Sequence, residues 1–349
     1  MGLMALVRLA LLLVPLLLSL FLFTEGPRQP QPLHPGAVPI QDPSDALEEA
    51  YVNAHPAALA LEGEDGGRGS GFFYRASRGE TLILTAYHVV AEGGRLSVRT
   101  ARGARLPAAL VGYLEPLDLA VLRVEGEEAA APRTLELELD RPLRLEEGLL
   151  AIGNSQGEFI APRIGKLVRK GVEVSPFLPS GLLETTLPLA PGDSGGPVLD
   201  AYGKVVGVAV AIGMTEEGFR SYVVPLGGRR AELRRMEEGE RTSWPYLGLQ
   251  GPRALTPELA RELGLPPGGV LVGRVVPGGA AHRAGLRGLE AGGVPDVILE
   301  VDGAPVNTFE DLLRAVRRKK VGEEVELKVR RGEAIFQARV QLAPFPGRP

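Results

Sequence analysis

The stretch Pro191-Gly192-Asp193-Ser194-Gly195-Gly196-Pro197 decides how this chain is read, together with two shorter ones upstream, Leu84-Thr85-Ala86-Tyr87-His88-Val89-Val90 and Asp118-Leu119-Ala120-Val121-Leu122. A serine hydroxyl is a poor nucleophile at neutral pH and needs an adjacent base. Histidine, with an ordinary pKa of ~6.5, is the usual one. A carboxylate then fixes the imidazole's tautomer and stabilises the imidazolium. Backbone N–H groups must face the oxyanion that develops, and glycines on both sides of Ser194 let the chain turn so that they can. The three segments supply these groups as His88, Asp118 and Ser194. Taken singly, they also look like a strand-end histidine, a turn aspartate and a glycine-rich hairpin. Their combination and order carry the reading.

Gly192-Asp193-Ser194-Gly195-Gly196 also fits the G-x-S-x-G elbow of α/β-hydrolases, where the order runs Ser, acid, His on a strand–turn–helix. Here the order is His88, Asp118, Ser194, and Pro197-Val198-Leu199 leads into another strand. That is the order of a chymotrypsin-type double barrel. The surroundings agree. From Ala57 to Pro225 the pattern is short strands divided by Gly and Pro, at Gly71–Tyr74, Thr81–Thr85, Leu96–Thr100, Leu119–Val124, Leu149–Ile152, Lys204–Ile212 and Ser221–Val224. Ahead of them, Asp42-Pro43 reads as an N-cap with proline at the first helical position, opening a short helix that His55-Pro56 ends. Beyond them, Gly228–Glu240 is polar and arginine-rich, a surface helix followed by a linker. A second β-rich unit runs from Trp244 to Pro344. It has strands near Leu247–Leu249, Val270–Val275, Val297–Val301, Glu324–Arg330 and Phe336–Gln341, and helices near Pro257–Leu263 and Thr308–Arg318.

Composition removes other classes. The chain has 349 residues, 44% hydrophobic and 23% charged, which fits folded domains rather than a disordered chain or a rod. Its 46 Gly and 30 Pro favour turns over helical bundles. A net charge of −4 gives no basic field for nucleic acid. The absence of Cys excludes disulfides, cysteine nucleophiles and thiolate metal sites. Four histidines, two of them followed by proline, argue against a histidine metal site. No metal or cofactor is expected.

The N-terminus implies a compartment. Leu9–Phe23 is apolar apart from Ser19 and would span ~22 Å as a helix. Extended back to Leu3, with Arg8 snorkelling, it reaches the ~30 Å of a bilayer core. No good A-x-A cleavage site follows, so residues 1–23 read as a signal anchor, with a cleaved signal peptide as the alternative. Residues 24–43 form a proline-rich spacer. The folded part is expected outside the cytoplasm, held off the membrane through residues 3–23.

Residues 44 to 345 resemble the HtrA/Deg serine proteases. Gly69-Ser70-Gly71-Phe72 is similar to that family's GSGF, Leu84-Thr85 with His88-Val89-Val90 to its LTN-x-HVV, and Asp118–Leu122 to its DLAVL. Ile152-Gly153-Asn154, Gly165–Val168, Ser194 with Gly195-Gly196-Pro197, and Val223-Val224-Pro225 also sit at family motifs. The second unit resembles a PDZ domain. Tyr246-Leu247-Gly248-Leu249 is similar to the carboxylate-binding loop, Val276–Ala281 with Ala284-Gly285-Leu286 to the PGSPAxxAGL segment, and Asp296–Gly303 to GDVILxVDG. The resemblance implies a mainly β protein: a chymotrypsin-like double β-barrel at 44–228, a linker helix at 229–243 and a PDZ domain at 244–345.

For activity, the resemblance implies a serine endopeptidase with His88 as base, Asp118 as orienting carboxylate and Ser194 as nucleophile. Gly192, Asp193 and Ser194 would surround the oxyanion hole, and Tyr246, Leu247, Gly248 and Leu249 would bind peptide C-termini, whose last side chain would meet Leu247, Leu249, Leu312 and Val316. Substrates would be unfolded or misplaced proteins at the extracytoplasmic side of a bacterial membrane, cut by a homotrimer built through Asp45–Ala54. A proteolytically inactive PDZ-bearing chaperone or scaffold is the competing function. One departure bears on that choice. The family commonly has Asn before the nucleophile, and here stands Asp193, whose charge must find a partner or stay solvated. In zymogen-activated relatives such an aspartate pairs with a new N-terminus, and this chain has no Ile-Val-Gly-Gly activation sequence.

Overall fold

The computed structural model describes residues 43–63, 68–77, 80–124, 133–155 and 162–345. The expected anchor, the proline-rich spacer and the Asp42 cap lie outside the described residues. Among those described, no helix is long and apolar enough to cross a membrane.

Helix α1 (Pro43–Ala54) is followed by six strands, β1 (Ala58–Gly63), β2 (Arg68–Ser77), β3 (Glu80–Ala86), β4 (Leu96–Thr100), β5 (Arg105–Leu114) and β6 (Leu119–Val124). They pair in the order β5-β4-β1-β2-β3-β6, and β5 also pairs β6, closing a barrel. Six more, β7 (Gly148–Ala151), β8 (Arg163–Val172), β9 (Leu182–Thr185), β10 (Pro197–Leu199), β11 (Val205–Thr215) and β12 (Gly218–Pro225), close a second barrel. Strand periodicity explains why β3, Glu-Thr-Leu-Ile-Leu-Thr-Ala, is apolar on both faces. Ile83 enters the interior of the first barrel with Leu59, Phe73 and Leu122. Leu82 and Leu84 point the other way, into a core shared with Leu150, Leu199, Val208 and Val224 of the second barrel. Leu149, Leu167, Val198 and Val223 fill the second interior. The layer between the barrels is therefore apolar, and strand ends from both meet at its rim.

Helix α1 packs into that shared layer through Leu47, Ala50 and Ala54. A short helical turn, α2 (Tyr87–Val90), follows β3. After β12, α3 (Arg230–Glu237) buries Leu233 and Met236 in the same core, so residues 229–243 brace the first barrel as well as linking. Strand β13 (Arg241–Thr242) then pairs β5 in parallel, Arg241 opposite Tyr113.

The C-terminal unit begins with β14 (Pro245–Tyr246), β15 (Leu249–Gln250), β16 (Arg253–Ala254), α4 (Pro257–Leu263), β17 (Val270–Leu271), β18 (Arg274–Val275) and α5 (Ala280–Arg283). It continues with β19 (Asp296–Val301), β20 (Ala304–Pro305), α6 (Phe309–Arg317), β21 (Glu324–Arg331), β22 (Ala334–Gln341) and β23 (Ala343–Pro344). The expected strand at Leu247–Leu249 is mostly a loop between β14 and β15, and the one at Val270–Val275 is two short strands. In β21 every second residue, Val325, Leu327 and Val329, is buried, as a sheet covered on one face requires. Helix α6 starts in a capping box: Thr308 Oγ1 accepts from the Asp311 N–H at 3.1 Å, and Asp311 Oδ2 accepts from the Thr308 N–H at 3.1 Å. Against the barrels, the Arg317 guanidinium, which lies 4.1 Å from the Trp244 ring centroid of its own unit, donates to the Pro176 carbonyl, and the Phe177 and Phe309 rings are 5.8 Å apart.

A tight backbone seat in this frame is Gly112, in a register shift of β5 beneath α3. A Cβ there would come 2.3 Å from the Met236 carbonyl oxygen and 2.6 Å from that of Glu240. Gly112→Ala is expected to destabilise the protein by about 1–3 kcal/mol, the usual cost of overpacking. At Gly227 nothing lies within 4 Å of the same added atom, and Gly227→Ala should change stability by less than about 0.5 kcal/mol. Urea unfolding of both variants checks the contrast.

Candidate active site

Strands β3 and β6 are paired so that Ala86 lies opposite Leu119, which brings the residues just beyond them together. Asp118 precedes β6 in the left-handed region, at φ 52° and ψ 41°, a conformation that aspartate tolerates better than most side chains. Its carbonyl accepts from the Tyr87 N–H at 3.0 Å. Its carboxylate is held at both oxygens by His88: Oδ1 accepts from the backbone N–H at 2.8 Å, and Oδ2 lies 2.6 Å from Nδ1. One residue thus anchors both the main chain and the ring of the other. With Nδ1–H donating to the carboxylate, Nε2 is left as the acceptor. Asp118 is buried, while the His88 side chain keeps 46% of its surface open to the cleft. Burial of the inner edge of the ring lowers the His88 pKa. The charge and hydrogen bond of Asp118 outweigh it, and the net shift is upward.

Ser194 stands on the turn before β10. Peptide planarity makes that turn directional, because each C=O opposes the N–H of the next residue. The Gly192 carbonyl accepts from Ser70 Oγ at 2.7 Å, and the Asp193 N–H on the other side of that unit goes to the Ala190 carbonyl at 3.0 Å. The Ser194 carbonyl accepts from the Ser70 N–H at 2.7 Å, and the Gly195 N–H goes to Ala209 at 2.7 Å. The Asp193 carbonyl accepts from Gly196, which turns the Ser194 N–H the opposite way. Among the described residues, the N–H groups of Gly192 and Ser194 have no acceptor. Asp193, expected beside them at the oxyanion hole, contributes no free amide, because Ala190 has taken it. Gly195 sits against the end of β3, where a Cβ would be 3.0 Å from the Ala86 N, so the Ser194 turn abuts the segment that carries His88. No hydrogen bond links Ser194 Oγ to His88 among the described residues. Catalytic contacts of this kind are commonly loose before substrate binds.

Three residues important to this geometry escaped the sequence reading. Ser70 stands within the Gly69-Ser70-Gly71-Phe72 motif. Its hydroxyl and N–H clamp the Ser194 turn, and its Oγ also accepts from the Asn154 N–H at 2.8 Å. Ser155 and Arg163 hold the Asp193 carboxylate from the far side. Their signal was the unpaired charge of Asp193 itself, which demanded a cation without saying where in the chain it would be. No group of three or more His, Cys, Asp or Glu is placed to hold a metal among the described residues.

In the second unit, the Leu247 carbonyl accepts from the Ala281 N–H at 2.7 Å and the Gly248 carbonyl from the Val276 N–H at 2.9 Å. By the same planarity, the N–H groups of Gly248 and Leu249 face away from those partners. Tyr246 Oη ties the loop by donating to the Leu249 carbonyl at 2.6 Å. Leu247, Leu249, Leu312 and Val316 belong to one buried cluster, so the loop and α6 share an apolar layer.

Comparison with known proteins follows this division. Residues 69–208 match the trypsin-like peptidase domain family and residues 238–342 the PDZ domain family. HhoB of Synechocystis, named as a serine protease, is 33% identical over 295 residues, covering 80% of this chain and 67% of HhoB. A DegP-like protein of Ectopseudomonas mendocina, named as a periplasmic serine endoprotease, is 30% identical over 80% of this chain, which spans 56% of that longer protein. The solved structure of the HtrA-type protease AlgW with a decapeptide superposes with a TM-score of 0.56 at 25% identity, covering 86% of this chain and 99% of that one. The chain belongs to the HtrA/Deg family of serine endoproteases, with a trypsin-like protease domain followed by a PDZ domain.

Proposed function

We propose that this endoprotease cleaves unfolded or mislocalised proteins outside the cytoplasm through an acyl-enzyme formed on Ser194. His88 Nε2 takes the hydroxyl proton as Oγ attacks the scissile carbonyl. Asp118 holds the ring and stabilises the imidazolium. The tetrahedral oxyanion is received by the N–H groups of Gly192 and Ser194. His88 then returns the proton to the leaving amine, and water repeats the sequence to release the acid. The observation that carries this reading is the double attachment of His88 to the Asp118 carboxylate, a fixture that a merely structural histidine does not need. Tyr246–Leu249 would receive a peptide C-terminus, with the peptide adding as a strand and its last side chain entering the layer of Leu247, Leu249, Leu312 and Val316. The periplasmic name of a relative supports an extracytoplasmic site, with residues 3–23 as tether, and assembly as a homotrimer through the α1 region completes the proposal.

Three outcomes test it. Ser194→Ala should abolish casein digestion while leaving the circular dichroism spectrum unchanged, since triad losses reach many orders of magnitude. Retention of more than ~1% of turnover would remove Ser194 from the role of nucleophile. A protein inert before mutation would be the scaffold instead.

The pH dependence follows from the direction of the His88 shift. Activity needs the neutral ring, and a raised pKa keeps the ring protonated to higher pH. The acid limb of kcat/KM should therefore lie above the ordinary ~6.5. In Ser194→Ala protein, an NMR titration of His88 should show the pKa falling when Asp118→Asn is added. A pKa that does not move would break the assignment of Asp118 as its partner.

The PDZ loop is tested by isothermal calorimetry on the full Ser194→Ala chain. A peptide with a free apolar C-terminus should bind, and its C-terminal amide should bind about 30- to 150-fold more weakly, through loss of a charge-assisted contact of ~2–3 kcal/mol. Equal affinities would remove the carboxylate assignment.

A further inference from the structure

A carboxylate directly before the nucleophile, buried to 2% exposure, is costly unless a cation and hydrogen bonds take it up. We propose that Arg163, at the start of β8, is the positioning residue of the nucleophile turn, an internal cation that captures the Asp193 carboxylate and thereby fixes the direction of the Gly192 and Ser194 amides. This inference rests on the proposed role of Ser194.

The Asp193 carboxylate is taken up by partners outside the turn and by Ala190 just before it. Oδ1 accepts from the Ser155 N–H at 3.0 Å, and Oδ2 from the Ala190 N–H at 2.9 Å. Arg163 Nε stands 2.7 Å from Oδ2, an ion-pair contact whose N–H is not aligned on the oxygen. The guanidinium's other nitrogens donate to Ser155 Oγ at 2.6 Å and to the Pro188 carbonyl. One cation therefore ties together the segment at Ser155, the segment from Pro188 to Ala190 and the nucleophile turn. The carboxylate rests on Gly153, where an added Cβ would be 2.2 Å from Oδ1, so the seat is shaped for it. Burial pushes the Asp193 pKa up, while the Ala190 N–H, the Arg163 charge and the Ser155 N–H pull it down, leaving it above the ordinary value.

The consequence for the turn is geometric. The side chain of Asp193 leaves the backbone between two peptide units, Gly192–Asp193 and Asp193–Ser194. Fixing the carboxylate fixes the Cα that joins them, so both units are held while Ser70 and Ala190 grip the first. Without the cation, a buried anion is drawn toward solvent or protonated, and either response loosens that Cα. The guanidinium also offsets a negative charge that would oppose the oxyanion on Ser194's substrate.

The test compares full-length Arg163→Gln, Asp193→Asn and the double variant with the wild type. The readouts are kcat and KM on a peptide substrate, the labelling rate of Ser194 by a fluorophosphonate, and thermal unfolding. Arg163→Gln should lower kcat and labelling by about 100-fold, the scale of a lost oxyanion donor, with KM little changed. The double variant should recover most of that loss, because with Asn at 193 no buried anion remains to be neutralised. Asp193→Asn alone, which strands the cation, should be slower than the double variant. If Arg163→Gln does not fold, the comparison of Asp193→Asn with the double variant decides alone. A double variant no faster than either single change, or Arg163→Gln with wild-type kcat, overturns the inference. In both of those outcomes a wild type that Ser194→Ala silences leaves the nucleophile reading intact. A wild type that neither cleaves nor labels overturns both.

Discussion

To serve the proposed reaction, the turn at Ser194 has to satisfy two opposite demands over five residues. It must leave two N–H groups without partners, facing the cleft, and it must pin every neighbouring peptide so that those two cannot rotate to find one. Planarity of the peptide couples the demands, because a carbonyl fixed on one side aims the next N–H at the other. Ser70 supplies the fixing contacts from the first barrel and Ala209 from the second. The turn is thus sewn across the barrel junction, and the apolar layer of Leu82, Leu84, Leu150 and Val208 beneath it keeps the two halves in register. An orphaned amide costs about 1–3 kcal/mol when buried, and that cost is tolerable at the rim, where solvent or a substrate oxyanion can meet it.

Two buried aspartates, Asp118 beside His88 and Asp193 in this turn, have settings that separate their chemistry. Asp118 is held by an N–H and an imidazole, and the imidazole is a group that can change charge during a reaction. Asp193 is held by two N–H groups and a guanidinium, which stays protonated throughout. Only the first can follow a proton moving at His88. The second can supply a constant field and a fixed geometry. Residue type and burial would not distinguish them, since each is a buried aspartate ahead of a strand. Their partners do.

Much of this was legible in the sequence. Leu96–Thr100 and Leu119–Val124 are strands with the bounds expected from pattern, and the helix expected near Pro257–Leu263 has those bounds, with Thr256 as its N-cap and Gly264 as its C-cap. The order His88, Asp118, Ser194 pointed to the double barrel, and the first two are hydrogen-bonded to one another. What was not legible has physical causes. β5 carries Pro107 and Gly112, both of which read as breaks. Yet Gly112 is glycine because α3 crosses it closely at a bulge, a tertiary reason with no local trace. β8, Arg-Ile-Gly-Lys-Leu-Val-Arg-Lys-Gly-Val, has too few apolar residues to alternate, because several of its side chains face solvent or pair with Glu146 and Glu184. Arg163 lies 30 positions before Asp193, and no spacing rule joins them.

The attachment of the second domain bears on the same machinery. Asp118 caps a short 3-10 turn, Glu115–Leu117, and its own N–H returns to the Glu115 carbonyl at 2.9 Å. The Glu115 carboxylate accepts from the Trp244 N–H at 2.9 Å, at the point where the chain enters the PDZ domain. Trp244 is in turn covered by Arg317 of α6, whose pKa is brought down to about 10 by burial, with Glu115 opposing the shift. Arg317 is still charged at neutral pH, and its charge favours the Glu115 carboxylate that holds the Trp244 N–H. The left-handed conformation of Asp118, which a free turn would give up readily, is therefore held from two directions. Strand β6 and the Tyr87 N–H fix it from within the barrel, and the domain junction fixes the turn that precedes it.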